Sequence, residues 1–476
     1  MNLHMTDVGK KLRRLFSVML AAIMLVVIMP MEARAEATVF NVGNQDELLS
    51  AFNAINAAGS GEFKIYLGDD IEFDKGPDVL NLTGDAEQTI TIYGEGHTLS
   101  LKKTSLFVKG SATLNLGSVN YKNSLTICSA DSTRSIINLG GNAVLNMYEN
   151  VTIGGNASFA GGQASGVQLE GNSTFNMYGG TITDCHNWAS VAGGVFLDGN
   201  SKFIMRNGVI SNCSGWQGGG VGVAGNSTFT MEGGEIKDCS DVWYGGGGVN
   251  LYAYGASFIM NGGKITGCTG TNKYGYGGAL FACTVTGEVQ INSGEITGNS
   301  AFLGGGILVL SGNVSVADGV KIYNNSASKA GDDIYNNTGS SLTLSKVTSG
   351  LKLNGCDHVI DGWYVDGVLN GEKADRWCVN PCVECDENHA VELEFLEGET
   401  TIEITTEIAL KAAHGENPSS GEEEKPDPEP VTPPRDTVTI VIDGDTPEKV
   451  EENPNTGAPV FSAAVVSALA AVRAAI

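Results

Sequence analysis

Basic residues are scarce in this 476-residue chain: 28 Lys and Arg stand against 54 Asp and Glu, a formal net charge of −26. Nucleic-acid phosphates demand a basic face, so this balance excludes a nucleic-acid partner. Much of the acid falls between Glu384 and Glu452, where it serves solubility rather than recognition. Stretches with a 3.6-residue apolar period are scarcer still. Only Asn44–Ala57 (NQDELLSAFNAINA) reads as a helix, with Asn44 or Asp46 as its cap and Leu48, Leu49, Phe52 and Ile55 on one face. That shortage excludes βαβ crossovers and a leucine-rich horseshoe.

What the chain has in abundance is repetition. Ile153, Ile182, Ile210, Ile236, Ile265, Ile296 and Ile322 recur at intervals of 29, 28, 26, 29, 31 and 26 residues. Most follow segments such as GNSTFNMYGGTI or GNSTFTMEGGEI, and most precede a Gly-rich turn and a short apolar run. A period in this range predicts stacked repeats, each closing its apolar face on its neighbours, and hence an elongated rod. One period reads as three strands, Gly194–Leu197, Lys202–Met205 and Val209–Ser211, broken by Gly, Asn or Asp. Such coils wind into an all-β parallel β-helix whose strands pair with their copies about 4.8 Å above and below. The 65 glycines gather in turns such as Gly218–Gly220, Gly245–Gly248 and Gly304–Gly306. Their fixed phase marks corners rather than a linker. The GNST asparagines match glycosylation sequons, but their place at the corner before a strand reads as turn chemistry.

Two further columns ride on the repeat. Three residues after each aligned isoleucine stand Asn156, Cys185, Cys213, Cys239, Cys268, Asn299 and Asn325. An inward Asn there can satisfy the next turn and its own copy, while Cys keeps a small buriable side chain. Parallel Cβ vectors give poor disulfide geometry, so the column reads as mostly reduced thiols. Trp188, Trp216, Trp243, Tyr274 and Phe302 recur in the following loop and make a candidate binding stripe for sugar rings or a protein. Equally, each ring could shield the turn of the next coil.

Both termini carry addresses. Lys10, Lys11, Arg13 and Arg14 precede an apolar run from Leu15 to Met31, and Ala33 and Ala35 supply a signal-peptidase site. The organisation read from the chain is a signal peptide at 1–35, an N-terminal cap with its helix at 36–60, and the β-helix at 61–346. A small β-rich segment at 347–415 follows. It contains Cys356, Cys378, Cys382 and Cys385, which in an exported chain read as disulfides ahead of a zinc site. An acidic, Pro-rich, disordered spacer fills 416–452, and 453–476 holds Asn453-Pro454-Asn455-Thr456-Gly457 before an apolar tail.

This order of spacer, short motif and hydrophobic terminus resembles the cell-wall sorting signal of Gram-positive surface proteins. The resemblance implies Thr456 as the residue that a sortase joins to peptidoglycan, with the tail transiently in the membrane. It departs from that pattern in having Asn453 for the usual Leu and only Arg473 as a terminal basic residue. The stretch GEGHTLSL resembles the opening coils of pectate-lyase-like proteins, which implies a right-handed β-helix. The GGG-I and I-x-x-N phases, over about 144–344, resemble the repeats of chlamydial polymorphic outer-membrane proteins and of adhesin-like proteins of Firmicutes.

These resemblances imply a secreted, wall-displayed adhesin-like or structural protein that meets host or environmental glycans or proteins. The alternative on the same scaffold is a polysaccharide lyase or glycoside hydrolase. Such enzymes need convergent carboxylates, or a base beside an acidic calcium site. Here Asp184, Asp198, Asp238, Asp241 and Asp318 are dispersed, and the pair Asp332-Asp333 reads as a turn. The sequence therefore supplies no catalytic residue, no metal site and no call for a cofactor.

Overall fold

The corner after each aligned isoleucine shows how a period turns back on itself. Two residues beyond Ile182, Ile210, Ile236 and Ile322 stand Asp184, Asn212, Asp238 and Asn324, at φ 53°, 53°, 52° and 55°. Gly267 and Gly298 hold the same place after Ile265 and Ile296, at φ 65° and 68°. Gly, Asn and Asp enter this left-handed region most readily, so the alternation at that position is a backbone requirement.

The computed structural model describes residues 36–413 except 74–78, 85–86, 130–133, 156–164, 188–191, 217, 244, 253–254, 271–274, 285, 348–350, 353–358, 367, 370–371 and 374–391. It is an all-β parallel solenoid. Among the described residues the strands fall into a thirteen-stranded sheet 1, a twelve-stranded sheet 2, a ten-stranded sheet 3 and a six-stranded sheet 4, beside one two-stranded ribbon. Sheet 4 was not legible in the repeat. Its strands, such as His186–Asn187, Ser214–Gly215 and Ser240–Asp241, are mostly two residues long and directly follow the Cys column.

Equivalent strands pair in register through the central coils, with shifts at Ala282/Cys283 in sheet 2 and at Ala301/Leu303 in sheet 4. The isoleucines pair Ile153 with Ile182, then Ile210, Ile236, Ile265, Ile296 and Ile322, in one continuous file. Inside, Phe175, Phe203, Phe229 and Phe258 stack with ring centroids 4.8, 4.8 and 5.1 Å apart, all fully buried. Beside them Met147, Met177, Met205, Met231 and Met260 are equally buried. Fully burying such a side chain contributes about 1.5–3 kcal/mol.

That packing explains one glycine of each period. Gly234 sits at φ +81°, and a Cβ on it would lie 2.7 Å from both Met205 Cε and the Gly208 carbonyl oxygen. Gly234→Ala should therefore lower stability by roughly 2 kcal/mol or more, from left-handed strain plus overpacking. Urea unfolding followed by circular dichroism measures it, and an unchanged midpoint would contradict the packing account.

Helix α1 (Gln45–Ala58) is capped by Asn44, whose Oδ1 accepts from Glu47 N at 3.0 Å, while Glu47 Oε2 accepts from Gly43 N at 2.7 Å. Leu48, Ala51, Phe52 and Ile55 are its buried face, with Leu49 only partly buried. Asn56 bonds the strand Val79–Gly84, donating to Asn81 O at 2.8 Å and accepting from Thr83 N at 3.0 Å. Past residue 346 the chain returns to the solenoid. Thr401–Ile404 pairs antiparallel with Ser341–Ser345 in sheet 1, and Ile408–Ala413 pairs antiparallel with Ile334–Asn336 in sheet 2.

Candidate functional site

The inward column behind the left-handed corner is a single hydrogen-bonded ladder. Asn299 Nδ2 donates to Ile265 O at 3.0 Å, and its Oδ1 accepts from Cys268 N at 2.9 Å. Asn325 repeats this one coil on, donating to Ile296 O at 3.0 Å and accepting from Asn299 N at 3.0 Å. In the cysteine coils sulfur takes the amide's place. Cys213, Cys239 and Cys268 Sγ lie 3.9, 3.8 and 3.8 Å from the carbonyl oxygens of Ile182, Ile210 and Ile236. All four thiols are unpaired by disulfides and buried. Burial pushes the Cys239 thiol well up.

The ladder ends on a carboxylate. Asp333 Oδ1 accepts from Asn325 Nδ2 at 2.8 Å and from Asn325 N at 3.2 Å, and its Oδ2 accepts from Ala412 N at 2.8 Å. Its neighbour Asp332 takes Lys411 Nζ at 2.9 Å and Ala327 N at 2.7 Å. This acidic pair thus ties the last coil to the returning strand Ile408–Ala413, a role beyond the turn read from the sequence.

Burial pushes the Asp333 carboxyl up to about 7 from an ordinary 3.8, against the opposing pull of Asn325 and Ala412 N–H groups. Asp241 is likewise pushed up to about 7 by burial. With both folded values above the unfolded ones, the folded state keeps protons that the unfolded chain has released. Their stability contribution is complete below about pH 4 and is lost as pH rises through about 7. Urea midpoints should fall across that window, and Asp241→Asn with Asp333→Asn should flatten the fall. An equal slope in the double variant would refute it.

Of the aromatic stripe, Trp216, Trp243 and Phe302 lie among the described residues, and Trp188 and Tyr274 lie outside them. Sheet 4 places the tryptophans just past paired strands, and their rings stack at 4.4 Å and 13°. Buried Asp241 anchors this loop by accepting from Trp243 N at 3.0 Å and Gly218 N at 3.4 Å. Each indole therefore turns one face to the other. Phe302 packs on the cluster of Tyr276, Phe281 and Leu308, and Lys329 Nζ lies 5.4 Å from its ring centroid.

A second aromatic file, on sheet 1, escaped the sequence reading. Tyr66 and Tyr93 stack at 4.7 Å, Tyr121 leans on Tyr93 at 4.6 Å, and Tyr148 and Tyr178 stack at 5.1 Å. Arg206 closes the file 4.8 Å over Tyr178. Two residues earlier runs an outward amide file: Asn146 Nδ2 donates to Asn115 Oδ1 at 2.8 Å, Asn176 Nδ2 to Asn146 Oδ1 at 2.9 Å, and Arg206 Nη1 to Asn176 Oδ1 at 3.1 Å. The signal was present as a Tyr at one strand phase in KIYL, TIYG, NMYE and NMYG. The outward residues of these middle rungs, Thr89, Thr91, Tyr93, Thr113, Asn115, Val144, Asn146, Tyr148, Thr174, Asn176 and Tyr178, are all uncharged.

Ala33 and Ala35, Asn156, Cys356, Cys378, Cys382 and Cys385, and Asn453, Pro454, Thr456 and Gly457 fall outside the described residues, as do the spacer and tail. Among the described residues no helix is long and apolar enough to cross a membrane. In comparisons with known proteins, no family model, no curated protein and no solved structure matches this chain.

Proposed function

We propose that this chain is an exported β-helix rod displayed on the wall of a Gram-positive cell, acting as an adhesin-like or structural surface protein. The reading includes right-handed winding, three principal strands per coil and an end-closing role for α1. It also includes sortase attachment to peptidoglycan through Thr456. The observation that carries it is the set of uncharged sheet 1 rungs between Thr89 and Tyr178, where phenol and amide files repeat on a chain of net charge −26. Such a surface suits a neutral, repetitive partner such as a glycan, which meets hydroxyl and amide groups in series. Because the rings stack on one another, their edges and hydroxyls, rather than their faces, are what a partner touches.

The test is a glycan and matrix-protein binding screen with residues 36–415. Tyr93→Ser with Tyr148→Ser and Tyr178→Ser should abolish the strongest signal while the thermal midpoint moves little. Trp216→Ala with Trp243→Ala separates the second column. Loss of stability with binding intact in both variants would make the columns packing devices only. Display is checked apart from binding, by mass spectrometry of wall digests for a peptide ending at Thr456.

A further inference from the structure

Four thiols occupy successive rungs of one lumen corner, and their surroundings restrict what they can hold. Cys185, Cys213, Cys239 and Cys268 each stand three residues after a paired isoleucine, so the register that aligns Ile182, Ile210, Ile236 and Ile265 aligns them too. Their contacts repeat almost without change. Each Sγ lies 3.4, 3.2, 3.2 or 3.5 Å from the carbonyl oxygen two residues before it, in that order. The sulfurs are therefore translational copies spaced by one rung, which the phenyl stack of the same coils measures at 4.8–5.1 Å.

A metal–thiolate bond is about 2.3 Å long, so two such bonds end to end span about 4.6 Å. That is close to one rung. A cation midway between neighbouring sulfurs would thus have two thiolates in a line. A third strong ligand has no way in. The wall beside Cys185 and Cys239 is glycine backbone, where Cβ atoms on Gly166 and Gly220 would come within 3.1 and 3.5 Å of the sulfurs. Among the described residues no three His, Cys, Asp or Glu side chains gather around one point. Zinc, a borderline d10 ion, wants four ligands in a tetrahedron, whereas soft thiolate pairs suit a softer d10 ion content with two.

We propose that this thiol stack is a site for soft d10 cations, of the copper(I), silver(I) or mercury(II) kind, each held in line between sulfurs of adjacent coils. Four thiols make two such sites, Cys185 with Cys213 and Cys239 with Cys268. Two S–H bonds break and two metal–sulfur bonds form per ion, releasing two protons and the ion's own waters, with no change of oxidation state. Because the sulfurs are closed inside the coil, the ions enter while the coils are still open.

The test uses the full chain with Cys128, Cys283, Cys356, Cys378, Cys382 and Cys385 replaced by Ser, so that only the stack remains. The protein is unfolded in a thiol-free reductant and refolded with silver(I), mercury(II) or zinc(II), and bound ions are counted by native mass spectrometry. We expect two silver or mercury ions per chain and no retained zinc. Cys213→Ala should leave one ion and Cys213→Ala with Cys268→Ala none, since no two adjacent thiols survive. X-ray absorption on this stack-only chain, which needs none of the Cys213 or Cys268 substitutions, should find two sulfurs around each ion. Three or four sulfurs, silver retained by the chain without adjacent thiols, or disulfides in place of the stack would each overturn the proposal.

Discussion

Phe229→Ala should destabilise the protein by about 3–5 kcal/mol, the loss for emptying a fully buried aromatic site. Phe229 lies between Phe203 and Phe258, with centroids 4.8 and 5.1 Å away, so the substitution removes two ring contacts as well as the buried area. Neighbouring coils cannot shift inward to fill the gap, because in-register pairing on both sides, Thr228–Met231 with Lys202–Met205 and with Ser257–Met260, holds the backbone apart. A solenoid's rungs contact only their neighbours, so the damage should stay local. Hydrogen exchange should accelerate in the coils bearing Phe203, Phe229 and Phe258 while the Phe63 end keeps its protection. Uniform acceleration along the chain, or a loss below about 1 kcal/mol, would contradict a tightly packed lumen.

Asn325→Ala should cost a comparable amount for a different reason. Its Oδ1 accepts from Asn299 N and Nδ2 at 3.0 and 2.9 Å, and its Nδ2 donates to Ile296 O, Tyr323 O and Asp333 Oδ1 at 3.0, 3.2 and 2.8 Å. Removing it strands several buried groups, at about 1–3 kcal/mol each. Asn325→Cys should cost less, since a thiol already serves the equivalent carbonyls in the coils of Cys213, Cys239 and Cys268. Urea midpoints of the two variants check the order. A cysteine variant no better than the alanine would mean that sulfur does not substitute for the amide in this ladder.

The central coils were readable because their contacts are periodic. One phase, Ile182 to Ile210 to Ile236, is repeated often enough that strand pairing follows from spacing alone, and the register confirms it. The tyrosine file is periodic too, but it spans only the coils before Arg206, outside most of the isoleucine repeat. Other features carry no period. Asp333 stands only eight residues after Asn325, not a coil later, and so takes the ladder's last place from outside the repeat. Lys411 and Asp332 are 79 residues apart, and nothing local announces their ion pair.

Composition and spacing were enough to settle that this chain is β throughout its core and that its strands stack in parallel. Those properties depend on local turn chemistry and on apolar side chains recurring at one interval, and both are written in order along the chain. Folding alone decided how the last coil is closed by antiparallel strands and that Trp216 and Trp243 spend a face on each other. It also decided that the acidic pair is consumed in a latch. Each of these rests on groups that meet only once the chain has turned back on itself, and distance in space between such groups leaves no trace in their distance along the sequence.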